Sequence, residues 1–287
     1  MAERLRDLAD NNRLPHAIML CGPKGAGKMA LAIALASHLL GTTDQAWHML
    51  NNFQHPDLHF AFPIIRPKGA SSDKKFDSDD YMSEWLEMLR ADGAYFDLPT
   101  WLAKIKVENQ QSNIPVAESD RLTRLFLMKS NQGGKKIAII WLPEKMNIEC
   151  ANKMLKLIEE PPAESLFIMV SNHPEQLLET TRSRVQRFDV KPIAQEDIID
   201  ALMNKRGLNQ NDATRTARIA NGNWLKAISL LEPGNEEALF FDMYVMLMRL
   251  AYTRKVSDLK KWSDQCASLG REKQIRMLET FQRLTRE

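Results

Sequence analysis

Cysteine is scarce in this chain: Cys21, Cys150 and Cys266 are isolated and odd in number among 287 residues. Three such residues cannot furnish a four-cysteine zinc site, and they are expected to be reduced thiols of a cytosolic protein. Charge of one sign is scarce too, since 39 basic against 37 acidic residues leave a formal net charge of +2. A chain so close to neutral has no broad electrostatic footprint for binding DNA by itself, and contact with nucleic acid is expected to be shared with partners. No apolar stretch approaches the roughly 20 residues of a membrane span. The N-terminal run MAERLRDLADNN is charged and amphipathic and lacks the apolar segment of a secretion signal. A cytoplasmic location and no membrane partner are expected.

What is present is an ordinary globular composition, 44% apolar and 26% charged, on a length beyond one hydrophobic core. Two or three domains are therefore expected. The apolar run at 17–21 reads as a buried strand, and the small and aliphatic residues of 30–40 have helical spacing. Between them stands GPKGAGK, from Gly22 to Lys28. Gly22, Gly25 and Gly27 let the backbone curl with its N–H groups inward, while Lys28 and the positive end of the helix dipole favour polyphosphate. The pattern is incomplete. A Ser or Thr hydroxyl after the lysine would hold Mg²⁺, but Met29 stands there, and a thioether is a poor ligand for a hard cation. The run reads either as a degenerate cradle for ATP, ADP or phosphate or as a Gly-rich turn with no ligand, and no cofactor is required.

Strand and helix alternate through the first two thirds. A strand is predicted at 58–65, a Lys-, Ser- and Asp-rich loop at 66–80, one or two helices within 81–101, and a helix at 116–128 before a turn at 131–134. A buried strand at 136–142, a helix at 147–159 ended by Pro161 and Pro162, and another buried strand at 166–171 follow. Such alternation makes a parallel sheet flanked by helices. From Ala194 onward short amphipathic helices take over, broken near Gly207, Gly222 and Pro233–Gly234.

The run NKMLKLIEEPPAESLFIMVSNHPEQLLETTRSRVQRF, residues 152–188, resembles the clamp-loader branch of the AAA+ ATPases, whose members carry a helix ending in LLKxLEEPP, a strand, and an SRC-type motif. The phosphate loop and the HPDLHF segment at 55–60 match the same branch, as do Lys191, Pro192 and Ile193. The resemblance implies an α/β fold: a P-loop AAA+ parallel sheet flanked by helices at 1–192 with a variable insert at about 45–113, a helical lid at 193–233, and collar-type helices at 234–287. That collar reads as short and stops at Glu287; a truncated one is expected to expose apolar surface and weaken assembly. The implied partners are clamp-loader ATPase subunits of the gamma/tau type, a delta subunit, the sliding clamp and, through the complex, primer–template DNA.

Set in register on Asn152, the resemblance places an Asp–Glu pair, metal ligand and base, where this chain has Trp141 and Leu142. Glu144 falls beyond the strand end and reads as a solvated or capping carboxylate. The lid's phosphate-sensing arginine, in a GSxR-type helix start, is replaced by Gly222, Asn223, Trp224, Leu225, with Lys226 a partial substitute. Met29, Trp141, Leu142 and Leu225 together remove parts that act as a unit, so no significant intrinsic ATPase is expected. One part is retained. Thr181, Arg182, Ser183, Arg184 and Val185 match the SRC motif with valine for its cysteine, and the resemblance implies that Arg184 acts in trans on a neighbour's nucleotide. Ser183 belongs to the same motif. On residue types alone, Arg182, Arg184 and Arg187 are a solvated basic edge before a strand.

Ser171 and Asn172, at the carboxyl end of a buried strand, stand where ligands sit in open α/β folds; Asn172 either meets phosphate or caps a turn. His55 and His59 tempt a metal reading, but strand-forming neighbours spoil the pair, and the zinc module that precedes HPDL in the family has no cysteine here around Gln45, Ala46 and Trp47. No zinc is expected. Trp85, Tyr95, Phe96 and Trp101 read as a local core rather than a base-stacking surface. The expected function is that of a non-hydrolysing clamp-loader subunit. The alternatives are an active P-loop NTPase with atypical metal ligands and a standalone DNA-binding repair factor.

Overall fold

The computed structural model describes residues 1–67, 75–106, 111–131, 134–232, 236–269 and 271–286. Parts of the predicted loop at 66–80 and of the turn at 131–134, and the break at Pro233–Gly234, lie outside the described residues. Contacts divide the chain into two units, Met1–Pro192 and Ile193–Glu287.

In the first unit the order is α1 (Ala2–Asp10), β1 (Ala17–Cys21), α2 (Lys28–Leu40), α3 (Asp44–Asn51), β2 (Leu58–Ala61), α4 (Met82–Asp92), α5 (Leu98–Lys104), α6 (Val116–Leu127), β3 (Lys136–Trp141), α7 (Ile148–Glu159), β4 (Ser165–Ser171), α8 (Glu179–Arg182) and β5 (Gln186–Asp189). The strands form one sheet in the order β2-β3-β4-β1-β5, and every pairing is parallel. Strands buried on both faces must be apolar at every position, which is why β1, β3 and β4 are near-continuous apolar runs.

The alternation of side chains then sorts two cores. Ile18, Leu20, Ile137, Ile139, Ile168 and Val170 face one side, where α2 brings Met29, Ala32 and Leu35 and the 45–113 segment brings Trp85, Trp101 and Phe62. Met19, Ala138, Ile140, Phe167 and Met169 face the other, covered by Leu122 and Phe126 of α6 and Met154 and Ile158 of α7. Side-chain caps start three of these helices: Thr43 accepts from the Ala46 amide at 3.1 Å, Asp97 from Thr100 at 3.0 Å and Asn147 from Cys150 at 2.8 Å. Each such cap stabilises by about 1 kcal/mol.

The end of one strand differs from the sequence expectation. The strand predicted at 58–65 ends at Ala61, and past Pro63, which has no N–H, Ile64 instead pairs antiparallel with Asn113. The 45–113 segment is joined to the sheet by a buried charge network. Arg121 donates to Glu118 and to the Phe60 carbonyl, both at 2.5 Å, and to Asp79 at 2.7 Å, while Glu118 accepts the Ser78 amide at 2.7 Å.

The described part of the second unit is helical: α9 (Gln195–Arg206), α10 (Gln210–Ala220), α11 (Trp224–Ser229), α12 (Glu236–Tyr252), α13 (Val256–Ala267) and α14 (Arg271–Arg286). Ile198, Leu202, Ala213, Ala217 and Ala227 form the centre of the first three helices. Phe240, Met243, Met277 and Phe281 form that of the last three. Leu239, Met246, Met248 and Tyr252 of α12 remain exposed. Among the described residues, no helix is long and apolar enough to cross a membrane.

Candidate phosphate loop and presented arginine

The loop from Gly22 to Lys28 joins β1 to α2 at the carboxyl edge of the sheet, the edge where open α/β folds bind ligands. Its glycines are required by backbone geometry. Gly22 has φ +151°, and a Cβ there would stand 2.3 Å from the Val190 carbonyl oxygen, because the Val190 amide donates to the Cys21 carbonyl at 2.7 Å. Gly25 and Gly27 have φ +70° and +78°.

The predicted cradle residues, Gly22, Gly25, Gly27 and Lys28, thus come together, but the lysine is turned onto its own loop. Lys28 Nζ donates to the carbonyls of Gly22 at 2.5 Å and Pro23 at 2.6 Å. The side chain is buried, and burial pushes its ammonium down to about 8, with the Glu144 carboxylate opposing the fall. Tyr95 crowds the same loop: a Cβ on Gly27 would meet its hydroxyl at 3.2 Å. Two successive left-handed residues, Gly93 at φ +60° and Ala94 at +71°, turn the chain after α4 to bring Tyr95 there.

The positions at which the resemblance implies metal-holding oxygens are apolar here and belong to the core. Met29 is 5% exposed, Trp141 4% and Leu142 3%. Trp141 ends β3 with its ring among those of Trp85 and Phe96, at centroid distances of 5.3 and 5.1 Å. A hard cation needs oxygen ligands, and these three side chains offer none. These three residues do not fit a magnesium ion.

Glu144 is a capping carboxylate rather than a solvated one. It accepts from Ser171 Oγ at 2.8 Å and from the amides of Asn172 and His173 at 3.0 and 3.2 Å, closing the turn after β4. Asn172 therefore contributes its backbone to that turn. His55 is buried, its Nδ1 accepting the Asp57 amide at 3.2 Å. His59 lies on β2 with its ring edge to Phe126, and burial lowers its pKa to about 4. Trp85, Phe96 and Trp101 are core, as expected, while the half-buried Tyr95 reaches the loop. In the second unit, Asn223 accepts the Lys226 amide at 3.1 Å and caps α11; Leu225 is half-buried.

Arg184 stands between α8 and β5, on the surface. Its Nε donates to Glu159 at the end of α7, and its Nη1 donates to the Thr180 carbonyl at 2.9 Å and to Ser183 Oγ at 3.3 Å. Ser183 Oγ donates in turn to the Thr180 carbonyl at 3.1 Å. Val185, in the place of the motif's cysteine, is buried in the core beside α7. Arg182 is exposed, and Arg187 pairs with Asp189 on β5 at 2.7 Å. Sequence reasoning missed two residues of this edge, Tyr95 and Glu159. Glu159 was visible in the EEPP run, but nothing in the sequence ties it to a residue 25 positions later.

Known proteins bear on these features. The family described as "DNA polymerase III, delta subunit" matches residues 1–194. The chain is 24% identical to DNA polymerase III subunit delta' of Bacillus subtilis over 204 residues, 68% of this chain and 48% of that protein. It is 28% identical to DNA polymerase III subunit delta' of Escherichia coli over 140 residues, 49% of this chain and 40% of that protein. The matches thus span about half the length of these relatives or less. Among solved structures, a DNA polymerase III, gamma subunit-related protein of Thermotoga maritima aligns with 15% identity and TM-score 0.43, covering 96% of this chain and 77% of that one.

Proposed function

This chain belongs to the family described as DNA polymerase III, delta subunit, and on that premise we propose that it is a delta-prime-type clamp-loader subunit that does not hydrolyse ATP itself. Its partners in this reading are ATPase subunits of the gamma/tau type, a delta subunit, the sliding clamp and primer–template DNA held by the complex. Its role is to complete a neighbour's nucleotide site with Arg184, Ser183 helping to hold that guanidinium, while ATP, ADP or phosphate in its own loop, if any, stays unhydrolysed.

The observation that carries the reading is the burial of Trp141 and Leu142 at the end of β3. Catalysis of phosphoryl transfer is positioning plus electrostatic stabilisation, in which metal, base and cationic clamp act together. An aromatic and an aliphatic side chain packed in the core supply none of these. A guanidinium delivered in trans supplies charge stabilisation without any metal on the donor, worth roughly 10³ to 10⁵ in rate in the best cases.

The test is reconstitution with the ATPase and delta subunits, clamp and primed DNA. Expected are no magnesium-dependent turnover by the isolated chain and at least a tenfold loss of DNA-stimulated turnover in the complex with Arg184→Ala. Magnesium-dependent turnover of the isolated chain, abolished by Lys28→Ala, would establish the alternative of an active NTPase. Full activity of the Arg184→Ala complex would remove the arginine from its role.

A further inference from the structure

Glu159 occupies an electrostatically poor position. It is the last residue of α7, and the carboxyl end of a helix carries partial negative charge that favours cations and disfavours carboxylates. Pro161 and Pro162 follow at once, and the residue before a proline is kept out of the helical region. Glu160 accordingly leaves the helix with φ −123° and ψ 66°. The helix therefore ends at a determined place, with Glu159 its last residue.

The partner of this carboxylate is Arg184, through Nε. Both side chains are well exposed, 39% for Arg184 and 43% for Glu159. An ion pair so exposed contributes little to folding, so stability does not account for a carboxylate at that helix end. The geometry gives another account. Glu159 from α7, and Thr180 and Ser183 from α8 and its end, hold the guanidinium through Nε and Nη1. Among the described residues, none of the hydrogen bonds of Arg184 uses Nη2. Two separate elements thus fix the plane of the group and leave one amino group of the fork for an outside anion.

We propose that Glu159 is a positioning residue for Arg184, holding the guanidinium in the one orientation from which it meets a phosphoryl group of the adjoining subunit. This rests on the reading of Arg184 given above. A free arginine side chain samples many rotamers, and a planar fork already held loses less freedom on docking. The effect falls on the reacting complex, where the guanidinium must be in place, and not on how the neighbour first binds its nucleotide.

The experiment is steady-state ATP turnover of the reconstituted complex, with clamp and primed DNA, for wild type, Glu159→Ala, Glu159→Gln, Arg184→Ala and the Ala/Ala double variant. Glu159→Ala is expected to lower kcat about fivefold, the rate equivalent of ~1 kcal/mol for an exposed pair, with KM for ATP unchanged. Glu159→Gln keeps an acceptor oxygen and is expected to restore more than half of the rate. In the Arg184→Ala background, Glu159→Ala is expected to have no further effect. An unchanged kcat in Glu159→Ala beside a large loss in Arg184→Ala would overturn the proposal, as would a full additional loss in the double variant. If Arg184→Ala itself is without effect, the reading of the arginine falls first, and that outcome is distinct. Should Glu159→Ala fail to enter the complex, Glu159→Thr, which is polar and also too short to reach Arg184, takes its place in the same comparison.

Discussion

The indole of Trp141 lies against that of Trp85, centroids 5.3 Å apart and planes at 50°, so the end of β3 is tied to α4 through an aromatic contact. Trp85 also stacks on Phe62 at 4.1 Å and meets Trp101 edge-on at 5.3 Å. The 45–113 segment therefore builds its core on the very position where the family resemblance implies an acidic side chain.

Placing an acidic pair at Trp141 and Leu142 is predicted to destabilise the protein rather than to activate it. Truncating a buried tryptophan costs about 3–5 kcal/mol, and a carboxylate placed among rings adds the cost of an unpaired buried charge. Trp141→Asp combined with Leu142→Glu is expected to lose at least ~3 kcal/mol in urea unfolding followed by circular dichroism, with no gain of magnesium-dependent turnover. A variant of wild-type stability would mean that the aromatic contacts contribute little.

The Arg121–Glu118 pair is predicted to show the asymmetry of buried ions. Both side chains are almost fully buried, with relative exposures of 6% and 1%. Arg121→Met strands the Glu118 carboxylate and leaves the Phe60 carbonyl without its donor, which is expected to cost about 3–5 kcal/mol. Replacing both, as Arg121→Met with Glu118→Leu, is expected to cost less than the sum of the two single changes. A double-mutant cycle in denaturant measures the difference, and strict additivity would rule out the coupling.

These two features mark the limit of what the sequence discloses. β1, β3 and β4 were legible because a strand buried on both faces leaves an unbroken apolar run. β5 was not delimited, since an edge strand reading Gln-Arg-Phe-Asp buries only Phe188. α3 lay in a segment that could be compared with a relative only through what it lacked, although Thr43 three residues before Ala46 is a capping signal. The phosphate loop was legible from its glycines and lysine. The approach of Tyr95 to Gly27 and the hydrogen bonds of Glu144 to the end of β4 were not, because each joins segments that only the folded sheet brings together. Arg184 stood out through family resemblance, and its residue type alone would have left it a surface cation.

Gly22→Ala is predicted to destabilise by about 1–3 kcal/mol, the range for a residue forced into a sparsely allowed backbone region. The new Cβ would stand 2.3 Å from a backbone oxygen, that of Val190, which cannot swing aside as a side chain can. Gly93 is the control: its φ is +60° and nothing lies within 4 Å of a Cβ there, so Gly93→Asn is expected to be nearly neutral, asparagine tolerating the left-handed region. Thermal melting of the two variants side by side gives the comparison, and equal losses would contradict the steric argument.

Lys28 makes a prediction about pH. Its folded pKa of about 8 lies below the ordinary value of 10.5, burial being the main cause. Between those two values the unfolded chain holds a proton that the folded chain has released, so unfolding takes up protons and stability rises with pH. The cost of burying the ammonium is fully present below about pH 8 and is relieved as the pH climbs toward 10.5. The neutral amine keeps two N–H donors, enough for the carbonyls of Gly22 and Pro23, so the loop need not open as it deprotonates. Lys28→Met removes the titration. The melting temperature of wild type minus that of Lys28→Met is therefore expected to increase between pH 8 and pH 10, in favour of the wild type. A difference that stays flat, or shrinks, would mean that the lysine is charged in the folded loop throughout and that its two carbonyl contacts outweigh its desolvation.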